Sequence, residues 1–243
     1  MTSIWEYANP KKFIDTSDRV IPALWVLSLG TLAIGLIWGF FFTPDDYRQG
    51  STVKIFYLHV PAALMAINAW FMMLVASLIW IIRRHHVSAL AARAAAPVGM
   101  VMTLIALLTG AIWGQPMWGT WWVWDGRLTS MLILLFLYLA YIALSQAVDR
   151  EGASSRLPAI FGLVGAVNIP IINRSVVWWN SLHQPPSITM GQSAIDAEFL
   201  VPLLIAVFGF SLLFAGVVLA RMRALLADVQ AEARLRRRAM EAV

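Results

Sequence analysis

The sequence predicts an all-α integral membrane protein of six transmembrane helices, and three observations lead there. The 243 residues are 60% hydrophobic and 13% charged, with a mean hydropathy of +0.73, an apolar load that no water-soluble fold with one core can bury. Uninterrupted apolar runs such as MLILLFLYLAYIAL exclude the in–out alternation of a membrane β-barrel, so the spans are helices that satisfy their own backbone in lipid. The length accommodates about six spans of roughly 20 residues, each matching a hydrocarbon layer about 30 Å thick. A single polytopic domain over 1–243 follows, without internal repeat, low-complexity tract or flexible linker.

Along the chain, a mixed-charge tail precedes the first apolar run, which opens near Val20 with no small-residue cleavage site. The first span, about 20–42, is therefore expected to stay as an anchor. The second, about 60–82, starts beside Pro61, a residue best tolerated in the first turn of a helix. The third and fourth, about 95–113 and 129–147, flank a tryptophan-rich segment. The fifth covers about 158–177 and the sixth about 199–220.

Basic residues orient these spans. Segments 1–19, 83–94, 148–157 and 221–243 carry 14 Lys and Arg, whereas 43–59, 114–128 and 174–198 on the alternate side carry four. By the positive-inside rule the first group is cytoplasmic and both termini lie inside. The outer loops are then about 43–59, 114–128 and 178–198. The tail 221–243, with six arginines, reads as a helix leaving the membrane whose charges fix orientation and meet anionic lipids. Docking of a cytoplasmic ATPase subunit is the alternative role for it.

The absence of cysteine removes disulfides, thiolate ligands and thioether attachment from the possible chemistry. No GxxxxGK phosphate loop occurs, so ATP hydrolysis by that device is excluded. Of four histidines, His85 and His86 adjoin Arg83 and Arg84 at the inner end of the second span and read as a solvated basic cluster at the head groups. His59, in YLHVP, and His183, in SLHQPP, fall on the outer side at similar membrane depth. One interfacial histidine is commonly a hydrogen-bonded bystander. Two on one face, beside a tryptophan cluster, point to a shared ligand.

That cluster is WGQPMWGTWWVWD, which places Trp113, Trp118, Trp121, Trp122 and Trp124 within thirteen residues. The indole ring offers a broad apolar face and one N–H donor, which suits either an aromatic belt at the interface or a flat aromatic ligand. Gly114 and Gly119 allow close backbone approach, although a turn alone explains them. Asp125 precedes the fourth span, where capping that helix and contacting a ligand are both open. Asp196 and Glu198 invite the capping explanation before the sixth span. A haem fits the combination of a flat apolar macrocycle, two axial nitrogens on opposite faces of iron, and anionic propionates. Arg48, Lys54, Arg127 and Arg174 are the outer basic side chains; interfacial snorkelling is the default role for each taken singly, and any propionate partner among side-chain cations comes from this set.

The tryptophan segment, followed by GRLTS, resembles the WWD signature of haem-handling proteins in cytochrome c maturation. With six spans and His59 and His183 outside, the chain resembles the CcmC family over essentially its whole length. That resemblance implies non-covalent haem b with His59 and His183 as axial iron ligands. It implies a haem site built from Trp113, Trp118, Trp121, Trp122, Trp124 and Asp125 on the periplasmic side of the bacterial inner membrane. It further implies transfer of haem to the chaperone CcmE, and association with CcmD and the ABC-type subunits CcmA and CcmB. A carrier is expected rather than an enzyme, with assistance to covalent haem attachment on the chaperone as its one catalytic contribution. Two other classes fit less well. A bis-histidine oxidoreductase linked to quinone needs a second redox centre, for which no ligands are evident. A permease would place polar groups at mid-membrane, where Asn68, Asn168 and Asn173 are the contacts on offer.

Overall fold

The computed structural model describes residues 6, 9–150, 156–179, 181–183, 188–189 and 192–241. Helix α1 spans Pro10–Ile37, with Pro10 in its first turn and Asn9 accepting the Lys11 N–H at 3.0 Å. It therefore begins ten residues before the apolar run and closes in a π-turn over Trp38–Phe42. There Gly39 lies against Tyr57, whose ring would stand 2.5 Å from an added Cβ. A 3-10 turn, Ser51–Ile55, leads into α2, Phe56–Arg83. Arg84, at φ 54°, stops it and turns the chain into α3, His86–Trp118. The imidazole of His85 caps α3 by accepting the Ser88 N–H at 3.2 Å. Helix α3 runs past residue 113 to Gly119, whose φ of 75° ends it with an N–H to the Gln115 carbonyl at 2.9 Å.

Helix α4 covers Gly126–Arg150, and the fifth crossing is divided into α5, Leu157–Gly165, and α6, Asn168–Trp178. Pro170 explains the division, because it has no N–H for the Ala166 carbonyl, which takes the Ile169 N–H at 3.1 Å instead. The break is held from outside: Trp70 Nε1 donates to the Gly162 carbonyl at 3.1 Å and Asn168 Nδ2 to the Ser130 carbonyl at 2.9 Å. Between α6 and α7, Ile188–Thr189 pairs antiparallel with Gln192–Ser193. Helix α7 runs unbroken over Ala197–Glu241, so the arginine-rich tail is its continuation. Among the described residues, six segments are long and apolar enough to cross a membrane, the fifth formed by α5 and α6 together.

Helices α2 and α3 pack as one antiparallel pair and α1 and α7 as another, joined through α7 against α3 and α2, while α4 packs on α3, α5 on α2 and α6 on α4. Buried alanines occur along both helices of the α2–α3 pair, among them Ala62, Ala66 and Ala69 of α2 and Ala94, Ala95 and Ala106 of α3. Small side chains bring the backbones close, which is how helices associate in lipid without a hydrophobic drive. The α1–α7 crossing uses the same device: a Cβ on Gly35 would sit 2.7 Å from the Ala206 backbone nitrogen. Trp70 and Tyr138 fill the centre at a ring separation of 4.9 Å, and the Tyr138 hydroxyl donates to the Ala66 carbonyl at 2.7 Å.

Gly99 leaves room for Tyr138, since its added Cβ would lie 2.3 Å from that ring. Gly99→Val is expected to lower thermal stability in detergent by about 1–3 kcal/mol, the usual cost of overpacking. An unchanged melting temperature would show that Tyr138 can move aside without loss.

Candidate functional site

His59 sits in the first turn of α2, facing α3. Its Nδ1 lies 3.0 Å from Thr109 Oγ1, and the Thr109 hydroxyl donates to the Ile105 carbonyl at 2.6 Å. With its single proton committed there, Thr109 can only accept from the imidazole. The proton of His59 is thereby placed on Nδ1, leaving Nε2 as a bare nitrogen. Gly110 keeps the approach to the ring clear, because a Cβ there would meet His59 Cε1 at 3.0 Å. Trp113 stands edge-on to the ring at 5.7 Å and is fixed by its own Nε1–H to Gln49 Oε1 at 2.9 Å.

His183 arrives from the connection after α6 and is held in the same way by a different group. Its Nδ1 lies 2.9 Å from Asp125 Oδ2, and the Ser181 hydroxyl donates to that same oxygen. The other carboxylate oxygen accepts the Leu128 N–H at 2.8 Å, so Asp125 both caps α4 and orients His183. Burial pushes the Asp125 carboxyl up, but the bonds from Ser181, Leu128 and His183 outweigh it and hold the group below the usual carboxylate range. Burial in turn holds His183 below the usual imidazole value, with Asp125 opposing part of the shift. A neutral imidazole with Nδ1–H on a carboxylate is the arrangement that prepares Nε2 as a metal ligand. Trp118 packs against this ring at 4.8 Å.

Both imidazoles open onto one cavity of about 240 Å³, with apolar walls that include Leu64, Leu107, Met131 and Ile172. Its polar groups are Arg127 and Asn173. Arg127 Nε is buried there without a hydrogen-bond partner, a donor waiting for an acceptor. The four basic candidates are thus distinguished. Arg127 lines the cavity, Lys54 pairs with Asp45 at 3.2 Å, Arg48 lies over the Tyr47 ring at 5.2 Å, and Arg174 is exposed.

The five tryptophans divide. Trp113 and Trp118 form the last two turns of α3 and touch the histidines, Trp118 folding back over Gly114, where a Cβ would lie 2.9 Å from its ring. Trp121 and Trp124 are 60% and 77% exposed, and Trp122 packs edge-on to Trp124 at 5.4 Å. Sequence reasoning missed Thr109, Ser181 and Gln49, short polar residues whose partners are distant in the chain. It also found no role for Gly126, which makes room for Trp179: an added Cβ would sit 2.8 Å from that ring. His85 and His86 lie at the opposite end of the bundle, beside α3's first turn.

Residues 3–237 match the family described as heme exporter protein C, CcmC. Among curated relatives, heme exporter protein C of Paracoccus denitrificans is 56% identical over 91% of this chain and 92% of its own length. The protein of that name from Rhodobacter capsulatus is 54% identical over the same shares. The one from Escherichia coli K12 is 46% identical over 92% of this chain and 91% of its own.

The role given to Asp125 is open to direct test. In Asp125→Asn the helix cap survives, since Asn also caps, but the acceptor that fixes the His183 proton is weakened. Nitrogen NMR of histidine-labelled protein should show His183 as a pure Nδ1–H tautomer in the wild type and a mixture in the variant. Identical spectra would remove Asp125 as the group that orients it.

Proposed function

The chain belongs to the CcmC family and has its haem-handling role, and from this we propose that it holds haem between His59 and His183 for transfer to the chaperone CcmE. The observation that carries the proposal is the pair of imidazoles lining one cavity, each with its Nδ1 already engaged. Haem is cargo here. Its iron takes two neutral imidazoles as axial ligands, which is the chemistry of a non-covalent haem b. Arg127 supplies a charge-assisted donor to a propionate, in keeping with its buried and unpartnered Nε. The apolar walls suit the macrocycle edge. A cavity of about 240 Å³ is below the roughly 300–1,000 Å³ that encloses a ligand of drug size. Haem held there keeps part of its surface outside, as a group that is to be handed on must.

The exposed Trp121 and Trp124, with Trp122 behind them, extend the apolar surface toward the acceptor. They are the candidates for contact with the outlying porphyrin edge or with CcmE. The charge asymmetry of the loops supports placing this end at the periplasmic face of the bacterial inner membrane. The release machinery is taken to comprise CcmA and CcmB with CcmD, as the family resemblance implies.

Absorption spectra of protein purified after expression with CcmE test the proposal. The wild type should give a six-coordinate bis-imidazole spectrum, altered or lost in both His59→Ala and His183→Ala. A spectrum indifferent to both substitutions would sink it. Arg127→Gln should retain the bis-imidazole spectrum with haem affinity lowered about tenfold, the value of one charge-assisted hydrogen bond.

The pH dependence follows from His183. Its pKa is lowered from the ordinary 6.5, so the neutral, ligating form is present above that value and persists as pH falls through it. Haem retention, followed by Soret absorbance, should stay level from about pH 8 to 6.5 and fall only in more acidic solution. A decline beginning above pH 7 would contradict this account of the ligand.

A further inference from the structure

The opposite, arginine-rich end of the bundle holds a second and larger cavity, of about 520 Å³, with walls from α1 to α5 and α7. It falls within the size range of sites that enclose a small molecule. Ser77 of α2 and Ser145 of α4 line it, and their hydroxyl oxygens are buried without a hydrogen-bond partner. The residues are 1% and 7% exposed.

Hydroxyls in membrane helices ordinarily donate back to a carbonyl one turn earlier. Ser28, Thr103, Ser130, Ser175 and Ser211 do so here. Ser77 and Ser145 do not. Ser77 points instead toward α5, where its oxygen would stand 3.0 Å from a Cβ on Gly162. Two buried donors left unused in one cavity leave a cost that a ligand acceptor would remove.

Depth along the helices identifies the acceptor. Ser77 lies six residues before the end of α2, Ser145 five before the end of α4, and Arg93 seven after the start of α3. At 1.5 Å per residue all three stand about 8–10 Å inside the end of the bundle. Arg93 lines the same cavity. The result is a polar belt of the Arg93 guanidinium and the two serine hydroxyls, with His86 also lining the cavity and Trp80, Leu90 and Tyr141 supplying aromatic and apolar wall around it.

We propose that this cavity binds the oxyanion of an amphiphile, a carboxylate or phosphate drawn in to the level of Ser77, Ser145 and Arg93 with its apolar part against the aromatic wall. Two sources carry that chemistry: the carboxylates of a porphyrin and the phosphate of a membrane lipid. The site is separate from His59 and His183 and does not depend on their role.

The test uses the full chain in nanodiscs of zwitterionic lipid. One arm titrates iron-free protoporphyrin, which cannot ligate imidazole, and reads its fluorescence. The other reads retained phosphatidylglycerol by native mass spectrometry. One probe should bind saturably at one equivalent per chain, be unaffected by His59→Ala with His183→Ala, and weaken about tenfold or more in Ser77→Ala with Ser145→Ala. The unliganded double-alanine protein should melt no lower than the wild type, which separates a binding role from a structural one. Filling the cavity with Ser145→Phe should abolish binding. Saturation by neither probe above empty nanodiscs, or affinity unchanged in the double-alanine protein, would overturn the proposal.

Discussion

The site depends on one carboxylate with two obligations. Asp125 accepts the Leu128 N–H at the start of α4 and the Nδ1–H of His183 at its other oxygen. Starting α4 is a local task that any capping residue could perform. Holding His183 is a long-range task, because 58 residues separate the two. One side chain performing both means that the position of the histidine is referred to the axis of a membrane helix. A loop residue thereby gains the precision of the bundle.

His59 gains it by a different route. It is already on a helix, and its partner Thr109 is on the helix packed beside it. Small residues where α2 and α3 meet, Gly110 against the His59 ring among them, set the distance between them. A bulkier seam would separate imidazole from hydroxyl and leave the tautomer of His59 unspecified. Packing energetics and ligand chemistry are therefore not independent at this end of the protein.

Six spans were legible because apolar runs of this length have one solution in lipid. Their ends were not. The capping of α1 by Asn9 and Pro10 lies in polar sequence, and α3 continues through Gln115 and Pro116 because Gly119 is the first residue to adopt the left-handed conformation that stops it. The division of the fifth crossing at Pro170 needed the partners of Gly162 and Asn168, which only the fold supplies. In the site, His59, His183 and Asp125 were singled out by residue type and position. Thr109 was not, since a threonine in an apolar helix is normally satisfied by its own backbone, and here it makes that bond and a second one to His59. The choice of Arg127 among four cations required knowing that Lys54 faces Asp45 and that Arg127 faces the cavity.

The two imidazoles are held with unequal stiffness, and the inequality bears on how a cargo leaves. Moving His59 requires displacing the first turn of a 28-residue helix packed along α3. Moving His183 requires breaking its bond to Asp125 and the Ser181 contacts, with no helix to displace. A few hydrogen bonds, each with a net value of about 1 kcal/mol, are a smaller barrier than unpacking a membrane helix. On the proposed reading, His183 is the ligand that opens and His59 the one that retains. Trp118, packed on His183 and terminal in α3, is then placed where a protein docking on the exposed tryptophans would disturb the weaker ligand first. Binding of the acceptor and loosening of the cargo would be one event.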